Sequence, residues 1–344
     1  MAKKVKYGIV GAGVIADCHA QALKSASNSE LLTVYDKMPE RAHKFAEKYG
    51  IKACDTYEAF LANQEIDAVS IAAPSGLHMA IALPAAEAGK HILCEKPLDV
   101  TVKKAEAIIS ACRKNNVLLS VVFQLRLNPD VQKLKKAIGD NRLGRIVLTS
   151  MQLRWFRPQE YYDNARWRGT WETGGGGALM TQGIHDLDLM LYLNGDPAEV
   201  MARTAILTHT GITVEDNVCA VIQWANGALG VIEASTSCAP GFPRRLQVSG
   251  EKGSVTLEDG KITEWKEVNP PAVSPAEATS STVDAGAAGN TDVFWSGHRQ
   301  QFENLSNAIR SGEKLLLPGE EGLRSLRFVC GIYESARTGM TVRF

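Results

Sequence analysis

In the amino-terminal third the apolar positions come in short unbroken runs, and between those runs they recur at helical spacing. "KVKYGIV" is a strand, "GAGVIADCHAQALKSA" turns into a helix and "ELLTVYD" is a second strand, together one βαβ unit. Pro39 sits in the first turn of the next helix and Gly50 closes it, the usual asymmetry between helix starts and ends. Asp55 followed by Glu58 resembles a capping box ahead of "YEAFLAN". "DAVSIAA" and "HILCE" are further strands, separated by a helix from about Ser75 to Gly89, and "NVLLSVVF" follows another helix. Strands apolar on both faces and alternating with helices predict a parallel sheet covered on both sides.

After about Arg126 the pattern changes to alternation of apolar and polar residues. "GRIVLTSMQLRW" alternates over its length, and "GGGGALMTQGIHDLDLMLYLNG" reads as a glycine-rich turn feeding a helix that Gly195 ends. "AEVMARTAIL", "VCAVIQWA", "ALGVIEAST", "RRLQVSG" and "SVTLEDGKITEW" follow as strands with no helices between them. Asn226-Gly227 and Asp259-Gly260 are two-residue hairpin signals. Residues 267 to 291, rich in Pro, Ala, Ser and Thr, predict a surface excursion, and helices near 296 to 311 and 319 to 338 finish the chain. The expectation is α/β: a dinucleotide-binding domain over 1–125 and a second α/β domain with a mixed, largely antiparallel sheet over 126–344. The last helix is free to pack back on the first domain.

Composition narrows the function classes. The 38 basic and 38 acidic residues balance and are scattered, so no footprint for nucleic acid or an anionic membrane is visible. A small molecule is the expected partner. The 7 cysteines are odd in number, with no CxxC or CxxH spacing, which argues against a disulfide framework and a zinc site and predicts buried, reduced thiols without a metal. The charged start runs directly into a strand and glycine turn, so a cytoplasmic location is expected.

"GAGVIA" carries the first chemistry. Gly11, Gly13 and Ala16 fit the GxGxxG/A pattern, in which glycines permit a tight turn and a pyrophosphate rests on the helix N-terminus beside Val14 and Ile15. Asp36 ends the next strand about twenty residues past Ala16, where an acid binds ribose hydroxyls. Its charge favours NAD, while Lys37 and Arg41 nearby leave NADP open. "AAPSGLH" ends another strand, and Ala73, Pro74, Ser75 and His78 there would line the nicotinamide side of the crevice. A first-turn histidine is more often structural or a cofactor neighbour than a base. Lys96 follows "HILCE" with Pro97 behind it, on the cofactor edge, and Glu95 is placed to hold it by hydrogen bonding. A partly desolvated lysine near a positive nicotinamide has a lowered pKa and can take a hydroxyl proton.

"GAGVIA", "APSGLH", "CEKPL", "GGGALMTQGIHDLDLM" and "GEEGLRSLRFVCGIYESARTG" occur in this order across nearly the whole chain. Together they resemble the Gfo/Idh/MocA family of sugar and cyclitol oxidoreductases. The resemblance implies an NAD(P)-dependent enzyme with a Rossmann domain and a second domain holding a mixed sheet of about half a dozen strands. It also implies an open sheet face that serves as an oligomer interface, hence a homodimer or homotetramer. The family's catalytic lysine matches Lys96 and its active-site histidine matches His185.

Thr181, His185 and Asp188 are spaced i, i+4 and i+7, so an α-helix would put them on one face with Asp188 orienting the imidazole. Many family members carry an aspartate where this chain has Thr181, with Gln182 next to it, which weakens a plain inositol dehydrogenase reading. "RWFRPQEYYDNARWRGTWETGGGG" packs Arg154, Arg157, Arg166 and Arg168 among Trp155, Tyr161, Tyr162, Trp167 and Trp171. Guanidinium groups pair with carboxylates and phosphates and aromatic faces stack on rings, so the segment suits an acidic or nucleotide-linked sugar, or else a loop clamped to its own domain. Arg126 and Asn128 match a family position near the substrate, and the "YY…WRGTW…GGGAL" pattern resembles members that oxidise nucleotide-linked N-acetylglucosaminuronate at its 3-hydroxyl. The expected activity is oxidation of a sugar ring hydroxyl. An inositol or free-sugar dehydrogenase or reductase, and a cofactor-binding sensor without turnover, are the alternatives.

Overall fold

The computed structural model describes residues 4–268 and 291–344. Most of the excursion expected over 267–291 therefore lies outside the described residues, as does the side chain of Arg166. The chain divides into two compact units, Met1–Gln124 with Ala288–Leu326 and Leu125–Ala287 with Arg327–Phe344.

In the first unit, β1 (Val5–Val10), α1 (Val14–Ser25), β2 (Ser29–Tyr35), α2 (Pro39–Tyr49), β3 (Lys52–Ala53), α3 (Tyr57–Ala62), β4 (Ala68–Ile71), α4 (His78–Glu87), β5 (His91–Cys94), α5 (Val102–Lys114) and β6 (Leu119–Val121) alternate as the sequence predicts. The sheet is parallel in the order β3-β2-β1-β4-β5-β6. That order reverses between β1 and β4, and a crevice for a ligand opens at the carboxyl ends of the strands at such a point. Gly50 caps α2 in the left-handed conformation at φ 67°. The cap of α3 lies one residue beyond the expected Asp55: the Thr56 hydroxyl accepts the Ala59 N–H at 3.1 Å.

The second expected domain does not run unbroken to the chain end, because Ala288–Leu326 belongs to the first unit. The helix Thr291–Ser311 accounts for this. Its Phe302 and Leu305 are fully buried with α1 and β1, Phe302 meets Tyr7 edge to face at 5.1 Å, and Ser306 bonds Tyr7 and Ser29. Burying two large apolar side chains outweighs what exposure of that face would offer.

In the second unit, α6 (Pro129–Gly139), β7 (Ile146–Arg154), α7 (Gln159–Asp163), α8 (Ile184–Asn194), β8 (Pro197–Ala205), β9 (Asn217–Trp224), β10 (Leu229–Ser235), β11 (Arg245–Gly250), β12 (Gly253–Glu258), β13 (Lys261–Glu267) and the terminal β14 (Val342–Arg343) build one sheet. Its order, β13-β12-β11-β7-β10-β9-β8-β14, holds eight strands rather than about half a dozen, and only β7 with β10 is parallel. Asp259 and Gly260 both take positive φ, 46° and 82°, as the β12–β13 hairpin turn demands. One face packs Val218, Ala220, Ile222 and Trp224 inward, and on the other Met201, Val221 and Val231 stand in register and exposed.

All seven cysteines are free thiols, but only Cys94 and Cys112 are buried, and Cys219 is exposed on the open sheet face. Among the described residues no helix is long and apolar enough to cross a membrane.

Candidate active site

The glycine turn fits a dinucleotide. Gly11 has φ 102°, and a Cβ there would fall 2.5 Å from the Ala72 carbonyl oxygen, so only glycine is accommodated. A Cβ at Gly13 would meet nothing within 4 Å, which leaves open space at the N-terminus of α1, where no side chain caps the helix and Val14 is 83% exposed. That is the cradle a pyrophosphate needs. Asp36 accepts the Ala12 and Met38 N–H groups, each at 2.8 Å, so it shapes the turn as well as offering oxygens to a ribose. Lys37 and Arg41 are exposed beside it.

Beyond β4, Pro74 leads into a single 3-10 turn, Ser75–Leu77, ahead of α4. The His78 ring is fully buried, its nitrogens 2.9 Å from the Pro97 carbonyl and 3.0 Å from the Ala73 carbonyl. It ties the ends of two strands together, the structural role that competed with a catalytic one.

Lys96 is half-buried after β5 and joined to Pro97 by a cis peptide bond. Glu95 beside it is buried and grips the lysine through its backbone: Oε2 accepts the Lys96 N–H at 3.1 Å. Glu95 Oε1 lies 2.9 Å from His19 Nε2 and 3.7 Å from His298 Nε2, and His19 Nδ1 meets the Ser70 hydroxyl at 2.7 Å. Burial raises the Glu95 pKa, but the hydrogen bonds and charge of His19 and His298 outweigh that and hold it well below the usual range. Burial lowers the His19 pKa despite the pull of Glu95. Glu95 is thus held as a carboxylate against His19 Nε2, with the Ser70 hydroxyl against Nδ1. One ligand atom from each of His19, Glu95 and His298 lies within 4.8 Å of the others, a spacing a metal ion would fit. Here Glu95 already accepts from the Lys96 N–H and meets His19 Nε2 within hydrogen-bond distance, so the group reads as a network.

In the second unit the four glycines feed a π-helical turn, Ala178–Gly183, before α8 begins. This departs from the uniform helix expected. A turn closed at i→i+5 is wider than an α turn, so the backbone register leading into His185 differs from that of an ideal α-helix. Thr181 donates its hydroxyl to the Gly177 carbonyl at 2.7 Å. Glu215 explains the turn. Its carboxylate accepts the Gly177 and Leu179 N–H groups at 2.8 and 2.9 Å and the Tyr333 hydroxyl at 2.8 Å. A Cβ at Gly177 would fall 1.7 Å from the Glu215 carbonyl oxygen. Burial pushes the Glu215 carboxyl up to about 7 even though the Leu179, Gly177 and Tyr333 donors favour its charge. His185 follows, half-buried in the first turn of α8.

Asp188 is buried, and both its oxygens accept from Arg126, at 2.6 Å each, with the guanidinium over the Tyr192 ring. Asp188 lies three residues past His185 on α8, and Arg126 meets it there as a buried ion pair. Asn128 caps α6, its Oδ1 accepting the Asp130 N–H at 2.8 Å. Arg154 is paired with Glu233 on the neighbouring strand.

The other arginines form a ladder with aromatic rings. Arg244 lies over Trp155 at 5.8 Å, Arg157 over Trp155 at 4.8 Å and Tyr161 at 5.4 Å, and Arg168 over Tyr161 at 4.2 Å and Trp167 at 5.4 Å. Gln182 joins it, accepting from Arg157 at 3.0 Å and donating to the Tyr161 hydroxyl at 2.6 Å. Arg157 and Arg168 pair with no carboxylate among the described residues, so two cations stand uncompensated here. The sequence pointed to this segment but not to Arg244, His19, His298, Glu215 or Tyr333, whose partners are far away in the chain.

A parallel sheet in this strand order, with a glycine turn at its switch point and an acid at the end of the second strand, defines a dinucleotide-binding protein. Comparison with known proteins gives the family. Residues 5–123 match the model of the oxidoreductase family with an NAD-binding Rossmann fold, and residues 131–256 match the GFO/IDH/MocA C-terminal domain. The WlbA dehydrogenase of Bordetella pertussis, crystallised with NADH and UDP-GlcNAcA, is 34% identical with a TM-score of 0.89, and 99% of each chain is covered. The WlbA dehydrogenase of Chromobacterium violaceum, with the same two ligands, is 33% identical with a TM-score of 0.88, covering 100% of this chain and 97% of that one. Inositol 2-dehydrogenase of Rhizobium meliloti is 28% identical, with 94% of each chain covered. The chain belongs to the Gfo/Idh/MocA family, as an NAD-dependent oxidoreductase of its sugar dehydrogenase class.

Proposed function

We propose that the protein oxidises a ring hydroxyl of a nucleotide-linked N-acetylhexosaminuronate, at the 3-position, and passes the hydride to NAD. The observation that carries this is the pair of cations, Arg157 and Arg168, stacked on Trp155, Tyr161 and Trp167 without carboxylate partners among the described residues. A neutral cyclitol leaves such charges unanswered, whereas a uronate or a diphosphate offers them bidentate acceptors. The crystallised ligand of two relatives at 33% and 34% identity is an acid of that kind.

Bound NAD supplies the hydride acceptor. As the C–H hydride leaves, the hydroxyl proton passes to Lys96 Nζ or to the His185 imidazole, and the carbinol carbon becomes a ketone. A neutral lysine amine or imidazole is the species required for that step. Gly11, Gly13 and Asp36 hold the cofactor, and Gln182 sets Arg157 and Tyr161 for the substrate.

The open face of the second sheet supports a homodimer or homotetramer. Met201, Val221 and Val231 form an in-register exposed apolar row across β8, β9 and β10, 42%, 54% and 36% exposed. A row of this kind on a flat sheet marks an interaction surface.

The test is an absorbance screen at the nicotinamide band with NAD, then NADP, against UDP-GlcNAcA, free aldoses and inositols. Reduction with the nucleotide-linked acid, lowered by roughly two to four powers of ten in Lys96→Ala with cofactor binding intact, is the expected result. Turnover of cyclitols alone would sink the substrate, and cofactor binding without any turnover would favour a sensor.

A further inference from the structure

Three buried side chains gather around Glu95, the buried residue before Lys96: His19 from α1 and His298 from the helix Thr291–Ser311 face its carboxylate, and Ser70 from β4 holds the far side of His19. Burial of this much polarity is costly unless every group is satisfied, and a network of this kind rigidifies what it touches. What it touches is the Lys96 peptide, through the 3.1 Å bond from its N–H to Glu95 Oε2. The other end is His19, on the helix whose N-terminus forms the dinucleotide cradle. The His19 and His298 rings lie 5.3 Å apart with the Glu95 carboxylate in reach of both.

We infer that Glu95, His19 and His298 are positioning residues for the reaction, a buried carboxylate–imidazole clamp that fixes the Lys96 backbone against the cofactor-binding helix. The assignment rests on Lys96 being the proton acceptor proposed above. The clamp touches no substrate. It acts by holding the lysine stem where Nζ meets the reacting hydroxyl, and a displacement of about 1 Å at such a group costs on the order of 100-fold in rate. A carboxylate suits the task better than an amide, because it accepts from the Lys96 N–H and the His19 imidazole at once, faces His298 Nε2 at 3.7 Å and offers no competing donor.

Glu95→Gln and His298→Gln probe the clamp from two different elements. Each is expected to lower kcat, per NAD site counted by NADH fluorescence titration, by about 10- to 100-fold while NAD affinity stays unchanged. The primary deuterium isotope effect, measured with UDP-GlcNAcA deuterated at the oxidised carbon or with whichever sugar the screen identifies, rises because the chemical step becomes slower than product release. Hydrogen exchange of the Lys96 amide, followed by mass spectrometry without substrate, quickens in Glu95→Gln. A purely structural defect would lower the number of NAD sites and leave the per-site rate and isotope effect as they are, and that outcome overturns the inference. Activity lost to a chelator and restored by zinc would also overturn it, making the trio a metal site. Lys96→Ala separates the two levels: if that variant keeps full turnover the lysine reading fails, whereas if it is inactive and the Glu95 and His298 variants are normal, only the clamp fails.

Discussion

Glu215→Gln tests whether the glycine turn is held by a carboxylate that folding keeps partly neutral. Burial raises this carboxyl from 4.5 to about 7. At about 1.4 kcal/mol per unit, the difference amounts to roughly 3 kcal/mol of stability. The folded state binds the extra proton between the two values, so this contribution is fully present below pH 4.5 and is lost as pH rises through 7. Glutamine cannot titrate, and its amide nitrogen will face the Gly177 or Leu179 N–H, which adds a cost that is the same at every pH. Urea unfolding of both proteins at pH 5 and pH 8, followed by tryptophan fluorescence, isolates the titrating part. The signal reports the second unit, because Trp155, Trp167, Trp171, Trp224 and Trp265 lie there and only Trp295 lies in the first. Relative to the variant, the wild type should lose about 2.5 kcal/mol between those two pH values, since pH 5 already lies above the unfolded value. A gap that stays constant, or that moves in favour of the wild type at high pH, would refute the reasoning.

Two further outcomes follow from the second unit. Asp188→Asn leaves the Arg126 guanidinium, 6% exposed, without its counter-charge and should cost about 3–5 kcal/mol in urea midpoint measurements, while the double variant Arg126→Met/Asp188→Leu should recover most of that. A cost for Asp188→Asn below about 1 kcal/mol would place the pair in a far wetter setting than its burial indicates. Val231→Lys puts a charge in the middle of the exposed apolar row and should shift sedimentation toward the monomer; an unchanged species distribution would remove that face from the assembly.

Where the sequence reading and the structure part, local pattern was read as if no distant group intervened. The local pattern predicts a uniform α-helix from the glycines through Asp188, and the Glu215 carboxylate with Tyr333 holds a wider turn over Ala178–Gly183 before the regular helix that carries His185 and Asp188. The Arg126–Asp188 pair joins residues sixty-two positions apart, beyond the reach of any local pattern. Asn128 precedes Pro129 at a helix start, so its capping role was legible from the local chain. The helix Thr291–Ser311 carries an apolar face, but nothing in its own residues says which unit will cover it.

By itself the sequence determined the features that depend on neighbours along the chain. The glycines of the first turn, the alternation of strands with helices, the hairpin at Asp259-Gly260 and the Lys96-Pro97 pair after a buried strand are all of this kind. Backbone sterics and side-chain periodicity act over a few residues, so such features survive translation into a string of letters. Tertiary structure alone decided the companions of those residues. His19, Ser70, Glu95 and His298 meet because a parallel sheet aligns the ends of β4 and β5 and a late helix packs beside α1, and Arg244 meets Trp155 because β7 and β11 pair. Buried polar groups must find partners wherever the fold brings them, and that search is carried out in space rather than along the chain.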